Sequence, residues 1–222
     1  MAKAGPRQAT TTAVRRSRSA EVRAALVGAA IDALRETGFA GASAREIAGR
    51  AGCSQALVFY HFGSVTDLLL AALDEVSSLR MAAYRGLLER ASSATALVES
   101  AREIFLADLD VGYVRVLTEM ITAAHSVDGL GPQVALRLAP WREFAESAAR
   151  QALSRSPLGK LLPPEELGHA VVAGFLGLEM LASLDGDRTA AMAMFDRART
   201  LARVLDVTGG RVRPSRKGDS QS

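Results

Sequence analysis

Residues 46–62 read EIAGRAGCSQALVFYHF: two short apolar segments separated by a small-residue turn, AGCS, with Phe59, Tyr60, His61 and Phe62 crowded at the end. A helix that only filled a core would not stop at a glycine after two turns, nor gather three aromatics and a histidine in its last turn. Just upstream, Ser43-Ala-Arg-Glu46 fits a capping box, in which Ser43 and Glu46 each satisfy an orphan amide at a helix start. That helix is expected to last to Arg50 or Ala51. Gly52 then allows a sharp turn, Ser54 can cap a third helix running to about Phe62, and Gly63 closes it. Ala48 is small enough to let two helices approach, while Ile47, Ala51, Cys53 and Val58 can pack inward. The spacing predicts a helix-turn-helix, whose second helix can enter a major groove with its N-terminal residues facing base edges. A plain αα corner inside a helical domain accounts for the turn taken alone.

Outward from this stretch the chain reads as helices with short connections. The first is expected from about Ala20 to Thr37, capped by Ser19, with Val22, Leu26, Ala30, Ala33 and Leu34 forming one apolar stripe. Gly38 stops it by taking the left-handed conformation, and Phe39 folds back. A long helix is expected from about Val65 to Leu88, then helices near 94–108, 110–127, 132–156, 164–184 and 188–206. Pro140 is expected to kink or split the 132–156 helix. Ser156-Pro157-Leu158-Gly159 and Pro163-Pro164 read as breaks, and Asp185-Gly186-Asp187 as a tight antiparallel connection. The fold class is all-α. It divides into a disordered basic arm (1–18), a helix-turn-helix domain (19–64), a larger helical domain (65–210) and a disordered tail (211–222).

Composition agrees. The 222 residues are 49% hydrophobic and 23% charged, with only 5% aromatic, and alanine and leucine supply most of the apolar content. The net charge is +3, but Lys3, Arg7, Arg15, Arg16, Arg18 and Arg23 face the single acid Glu21 in the first 23 residues. Such an arm can bind phosphate, and equally can be a solvated tail that aids solubility. One cysteine, Cys53, permits no intramolecular disulfide. No signal-peptide segment is expected, and the apolar stretch 170–184, which carries Glu179, reads as too short to span a bilayer. These features predict a cytoplasmic protein without a membrane partner.

Residues 19–72 resemble the DNA-binding domain of the TetR family of transcriptional regulators. The matched elements are the Arg23 helix with Ala29-Ala30, Gly38-Phe39, Ser43, Ile47-Ala48, Ala51-Gly52, Ser54, His61-Phe62 and Leu68-Leu69. The resemblance implies a DNA-binding surface of Ser43, Arg45, Ser54, Gln55, Ala56, Leu57, Phe59, Tyr60 and His61, with Arg15, Arg16 and Arg18 reaching the minor groove from the arm. In it Gln55 reads adenine, Leu57 touches a thymine methyl, and Tyr60 and His61 approach phosphates, while Phe62 packs as core. The chain departs from the family pattern at Ala56, Phe59 and Val65, where glycine, tyrosine and lysine are usual. The last two departures each remove a phosphate-binding group.

For the rest of the chain the resemblance implies a homodimer, a palindromic double-stranded DNA operator and a small-molecule effector. Ala173, Gly174 and Gly177 give a small-residue face beside Leu178 and Leu181, and Phe195, Ala198 and Ala202 line the following helix. Together they can form half of a two-fold four-helix bundle or simply close the monomer core. Phe105, Tyr113, Met120, Trp141, Phe144 and Phe175 are the large apolar pocket candidates, with Glu119, His125 and Glu179 as polar ones, and the set favours a mostly apolar or aromatic ligand. His61, His125 and His169 stand far apart, so no zinc spacing appears, and no phosphate loop, nucleophile elbow or paired-carboxylate signature is present. Neither metal, cofactor nor catalysis is expected. Two other classes stay open: an architectural DNA-binding protein of low sequence preference, and a helical ligand-binding or scaffold protein.

Overall fold

The computed structural model describes residues 6–153 and 162–209. Among these, all regular structure is helical: α1 (Pro6–Gly41), α2 (Ala44–Arg50), α3 (Gln55–Phe62), α4 (Val65–Arg90), α5 (Ala94–Val111), α6 (Tyr113–Ala123), α7 (Leu130–Leu153), α8 (Pro164–Asp185) and α9 (Thr189–Gly209). They form two compact units. The first comprises the chain up to Val76 together with Arg115–Asp128; the second comprises Ser77–Val114 and the chain from Gly129 onward.

In the first unit Leu26, Ala30, Ala33 and Leu34 of the expected α1 stripe are buried, and Val22 is half-buried. Ile47, Ala48 and Val58 join them from α2 and α3, and Leu68, Leu69, Ala72, Leu73 and Val76 from α4. Each large aliphatic side chain so buried contributes about 1.5–3 kcal/mol relative to exposure. Val116, Leu117, Met120 and Ala123 of α6 complete the core. The first unit thus runs past residue 64 to Val76, inside α4, because the first half of α4 carries an apolar face that covers helices α1–α3. Residues 115–128 belong to the same unit.

The N-terminal arm is also corrected. Residues 6–18 are the opening turns of α1, where an unstructured segment was expected. Proline is tolerated in a first turn, where its missing amide has no partner to lose, and the Gln, Ala and Arg that follow are good helix formers. The tail 211–222 lies outside the described residues. Gly38 keeps its predicted role in part: at φ 71°, ψ −177° it breaks the helical path, and the chain then resumes one further turn to Gly41.

In the second unit α8 packs chiefly on α7, and α9 on α5. α7 and α8 approach closely at Gly168, where an added Cβ would stand 2.7 Å from the Glu146 amide nitrogen. Asp206 of α9 ties down the start of α5, accepting from the Ala94 and Thr95 amides at 2.7 and 3.0 Å. Three expectations shift here. The α5 end lies at Gly112, in the left-handed conformation, rather than near residue 108. α7 continues through Pro140 as a single helix, and its expected last residues fall outside the described ones, as does the Ser156–Gly159 break. The apolar α8 helix begins at Pro164, so its 21 residues to Leu184 are long and apolar enough to cross a membrane by length and composition. Its Glu179, however, is fully buried and ion-paired to Arg80, which marks that face as protein core.

Candidate functional site

The turn between α2 and α3 is made by the backbone. Gly52 takes φ 65°, its amide donates to the Gly49 carbonyl at 3.2 Å, and the Cys53 amide donates back to the Ala48 carbonyl at 3.0 Å. This pair of bonds is the Schellman closure, which satisfies carbonyls left over at a helix end. An added Cβ at Gly52 would touch nothing within 4 Å, so glycine is needed there for its conformation and not for space. Ser54 occupies the N-cap of α3 in extended backbone but makes no side-chain cap bond, contrary to the expectation, and its hydroxyl is exposed.

Val58 alone of α3 is fully buried and anchors the helix. Leu57, His61 and Phe62 are half-buried, while Ser54, Gln55, Ala56, Phe59 and Tyr60 are exposed. Tyr60 keeps 78% and Phe59 47% of their surface in contact with solvent. Phe62 is held from α1 by the Arg23 guanidinium, 4.9 Å above its ring, and His61 meets Tyr60 edge-on at 5.0 Å. The expected core role of Phe62 therefore holds in half-buried form.

The start of α2 lies beside this face in sequence. Ser43 Oγ accepts from the Glu46 amide at 3.2 Å, as the capping box predicts. The Glu46 carboxylate does not complete the box: it accepts from Arg50 Nε at 2.8 Å, and Arg50 Nη1 reaches Glu36 at 2.7 Å, clamping α2 onto α1. A second carboxylate within reach of one guanidinium makes this exchange favourable. Arg45 is exposed, as are Arg15, Arg16 and Arg18 on the early turns of α1. The face thus offers a primary amide, a guanidinium and two hydroxyls without a competing buried role. Those groups can pair with base edges and phosphate oxygens.

The nine ligand candidates divide between the two units. Glu119, Met120 and His125 are part of the first unit. Glu119 Oε2 accepts the Phe39 amide at 2.9 Å, Met120 is fully buried in that core, and exposed His125 places Nδ1 2.9 Å from the Ile121 carbonyl oxygen. In the first unit these three therefore make contacts of their own. Tyr113 is half-buried in the second unit.

Phe105, Trp141, Phe144, Phe175 and Glu179 are gathered in the second unit around residues that sequence reasoning missed. Tyr84 stands edge-on to Trp141, Phe144 and Phe175 at centroid distances of 5.3, 5.8 and 6.0 Å, and Phe105 meets Phe175 at 5.5 Å. Beneath the rings, Arg80 Nε donates to Asp108 Oδ2 at 2.9 Å and Nη2 to Glu179 Oε1 at 3.0 Å. Tyr84 Oη donates to the same Asp108 oxygen at 3.3 Å, Trp141 Nε1 donates to Ser77 Oγ at 2.8 Å, and Arg80 lies 5.3 Å over the Trp141 ring. Glu179 Oε2 is buried without a hydrogen-bond partner among the described residues. Burial pushes the Glu179 carboxyl up to about 8; Arg80 opposes this and Asp108 adds to it. Burial likewise raises the Tyr84 phenol, so it stays protonated.

The expected dimer face also divides. Phe195 is buried and stands 5.2 Å from Phe105, and Ala202 is buried, so both belong to the core of the unit. Ala198, Gly177 and Leu178 are half-buried; Ala173, Gly174 and Leu181 are exposed. Added Cβ atoms at Gly174 and Gly177 would meet nothing within 4 Å, so the close approach made by α8 in this chain is at Gly168.

Residues 26–72 match the family model described as bacterial regulatory proteins, tetR family. The fold matches a member of the TetR family from Streptomyces coelicolor A3 at 25% identity and TM-score 0.59, covering 83% of this chain and 97% of that one. It also matches the transcriptional regulator FadR from Bacillus subtilis, solved with stearoyl-CoA, at 12% identity and TM-score 0.68, covering 80% and 96%. A third match is the multidrug binding protein EbrR, complexed with imidazole, at 22% identity and TM-score 0.57, covering 82% and 93%. No curated protein matches the chain in sequence.

Proposed function

We infer that this chain, a TetR-family transcriptional regulator by its match over residues 26–72 and by its fold, is a sequence-specific DNA-binding protein that works as a homodimer and answers to a small ligand. The observation that carries the reading is the exposed amino end of α3. Gln55 and Ser54 face solvent on a helix pinned by Val58, directly after a turn held by Gly52. Gln55 reads adenine through two hydrogen bonds, Arg45 takes a base edge or phosphate, and Leu57 contacts a thymine methyl. Ser54, Tyr60 and His61 serve phosphates, and Arg15, Arg16 and Arg18 add sequence-independent attraction from the helical extension. Ser43 acts here mainly by holding the start of α2, and Ala56 and Phe59 by shape.

The second unit supplies the dimer. Val171, Leu181 and Leu184 of α8 and Met194 and Leu201 of α9 are large apolar residues left exposed in the single chain. Paired about a two-fold axis, the two helices and their copies bury this surface as a four-helix bundle, with Gly174 and Gly177 allowing close approach. Two recognition helices must then sit about 34 Å apart to enter successive major grooves, so the operator is palindromic. FadR and EbrR were solved with stearoyl-CoA and imidazole respectively. A mostly apolar or aromatic effector in the second unit of this chain fits the Tyr84–Trp141–Phe144–Phe175 cluster. An effector that prefers a conformer with a different head spacing lowers DNA occupancy by no more than its differential affinity, which makes the protein a non-enzymatic, cytoplasmic repressor.

The test is footprinting of the purified protein on the DNA flanking its own coding region, repeated with a panel of hydrophobic small molecules. Protection of a palindrome that some member of the panel abolishes is the expected result. A failure to shift any DNA even at low salt overturns the reading and favours a ligand-binding or scaffold role.

A further inference from the structure

A buried carboxylate usually has its oxygens satisfied, because an unpaired buried acceptor forfeits its hydration without return. Glu179 breaks this pattern. Its side chain is fully buried, Oε1 accepts from Arg80, and Oε2 has no partner among the described residues. Protonation does not cure the defect, since a neutral carboxyl leaves an O–H or an oxygen equally unmatched.

The charge around it is balanced only while Glu179 is protonated. Arg80 supplies one positive charge to two carboxylates, Asp108 and Glu179, and Tyr84 is neutral. With both acids ionised the cluster is one positive charge short. The surroundings are aromatic: Tyr84, Trp141, Phe144 and Phe175 are half-buried, and Phe175 stands one turn before Glu179 on the same face of α8. Aromatic faces attract cations, and Arg80 already uses that of Trp141 at 5.3 Å.

We propose that the effector is a small organic monocation with an aromatic or apolar body, whose N–H donates to Glu179 Oε2 while its body lies against the rings of Tyr84, Phe144 and Phe175. This rests on reading the second unit as the effector domain and narrows the ligand class within it. Once Glu179 is ionised, the cation supplies the balancing charge and the donor together; a neutral ligand supplies the donor at most, and an anion no balancing charge. Because the free carboxyl is held near pH 8, it is mostly protonated at pH 7 and must ionise to receive a cation. Binding therefore expels a proton. The ionisable groups facing Glu179 are Arg80 and Tyr84 on α4 and Asp108 on α5, of which Arg80 and Tyr84 do not titrate near neutrality.

Trp141 is the sole tryptophan, so its emission reports the site. The full chain is titrated at pH 7 with 4-phenylbutylamine, 4-phenylbutanol and 4-phenylbutyrate. The amine is expected to bind at least about tenfold tighter than either isostere, the gain of one charge-assisted hydrogen bond. Glu179→Gln should erase that preference, bringing the amine to the level of the alcohol. Equal binding of the alcohol or the acid, an unchanged preference in E179Q, or no emission change with any probe at millimolar concentration overturns the proposal. If E179Q fails to fold by circular dichroism, the wild type decides: calorimetry in two buffers of different ionisation enthalpy should find close to one proton released with the amine and none with the alcohol, and no release sinks the idea. Footprinting without any probe reads the regulator function separately. Protected DNA with no amine preference defeats only this inference; amine preference with no DNA bound defeats only the regulator reading.

Discussion

The Phe39 backbone amide donates to Glu119 Oε2 at 2.9 Å, across 80 residues of sequence. The contact exists because Gly38 is next to it. At φ 71°, ψ −177° Gly38 occupies a region essentially reserved for glycine, and a Cβ there would stand 2.6 Å from the same Glu119 oxygen. Gly38→Ala therefore adds backbone strain of about 1–3 kcal/mol and displaces a charge-assisted hydrogen bond of about 1.5–3 kcal/mol. A loss of about 3–5 kcal/mol in urea unfolding is expected, and a loss under about 1 kcal/mol would mean that the α1 terminus simply relaxes.

Glu119→Ala separates the two readings of that residue. If Glu119 holds the α1 terminus, its removal strands the Phe39 amide and costs about 1–3 kcal/mol of stability. The response of DNA binding to effector should then stay as in the wild type. A normal melting temperature with an altered effector response would return Glu119 to the ligand site.

Much of the first unit was legible because backbone geometry has few solutions. Gly38, Gly52 and Gly63 punctuate the sequence at three helix ends, and all three take positive φ. Ser43 before Glu46 marks a helix start for similarly local reasons, and the Glu46 amide does donate a hydrogen bond to Ser43 Oγ. The aromatic residues of the second unit stood out by type, but the unit to which each candidate belongs did not. Glu119 and Met120 sit on the same helix as Tyr113, and nothing local says that the unit boundary falls inside α6. Arg80 and Asp108 were missed because a charge on an amphipathic helix ordinarily faces water. A signal existed: Leu69, Leu73, Val76, Arg80 and Tyr84 recur at three- and four-residue spacing, so Arg80 interrupts a buried stripe. Phe195 and Ala202 both read as interface residues in one dimension, and only packing assigns them to the interior, Phe195 against Phe105.

The buried carboxyl of Glu179 should tilt the stability of the free protein with pH. Its value rises from an ordinary 4.5 to about 8 on folding, through burial first and Asp108 second, against the pull of Arg80. Between those values the folded chain holds a proton that the unfolded chain has lost. Stability from this group is full below 4.5, falls by at most about 1.4 kcal/mol per pH unit towards 8, and is level above it. Urea midpoints between pH 5 and 8 should decline in the wild type and decline less in Glu179→Gln. Parallel curves would show that the carboxyl is ionised throughout.

DNA binding should separate specificity from attraction. Gln55 is exposed, so Gln55→Ala should leave the fold intact and remove about 1–3 kcal/mol of discrimination between operator and unrelated DNA. Replacing Arg15, Arg16 and Arg18 by alanine should weaken binding to all sequences alike. It should also flatten the slope of log affinity against log salt by about 0.9 for each phosphate no longer neutralised. Uniform weakening in the Gln55 variant would make this helix a phosphate binder and the protein an architectural one.

The dimer can be tested without disturbing the monomer. Leu181 and Leu201 keep 65% and 68% of their surface exposed in the single chain, on α8 and α9. In a lone chain, glutamate at either position meets water and should cost little. In a two-fold bundle each substitution is made twice and forces an unpaired carboxylate into the seam, a penalty of several kcal/mol. Leu181→Glu combined with Leu201→Glu is therefore expected to give a folded monomer in sedimentation, with unaltered far-ultraviolet dichroism and no protection of a palindromic site. Phe195→Ala is the contrast: it empties space beside Phe105 and Phe175 and should cost about 3–5 kcal/mol of folding stability, with dimerisation affected only as far as the fold is lost. A double glutamate variant that still sediments as a dimer would place the interface on another face, and the spacing of the two recognition helices would then have to be derived from that face instead.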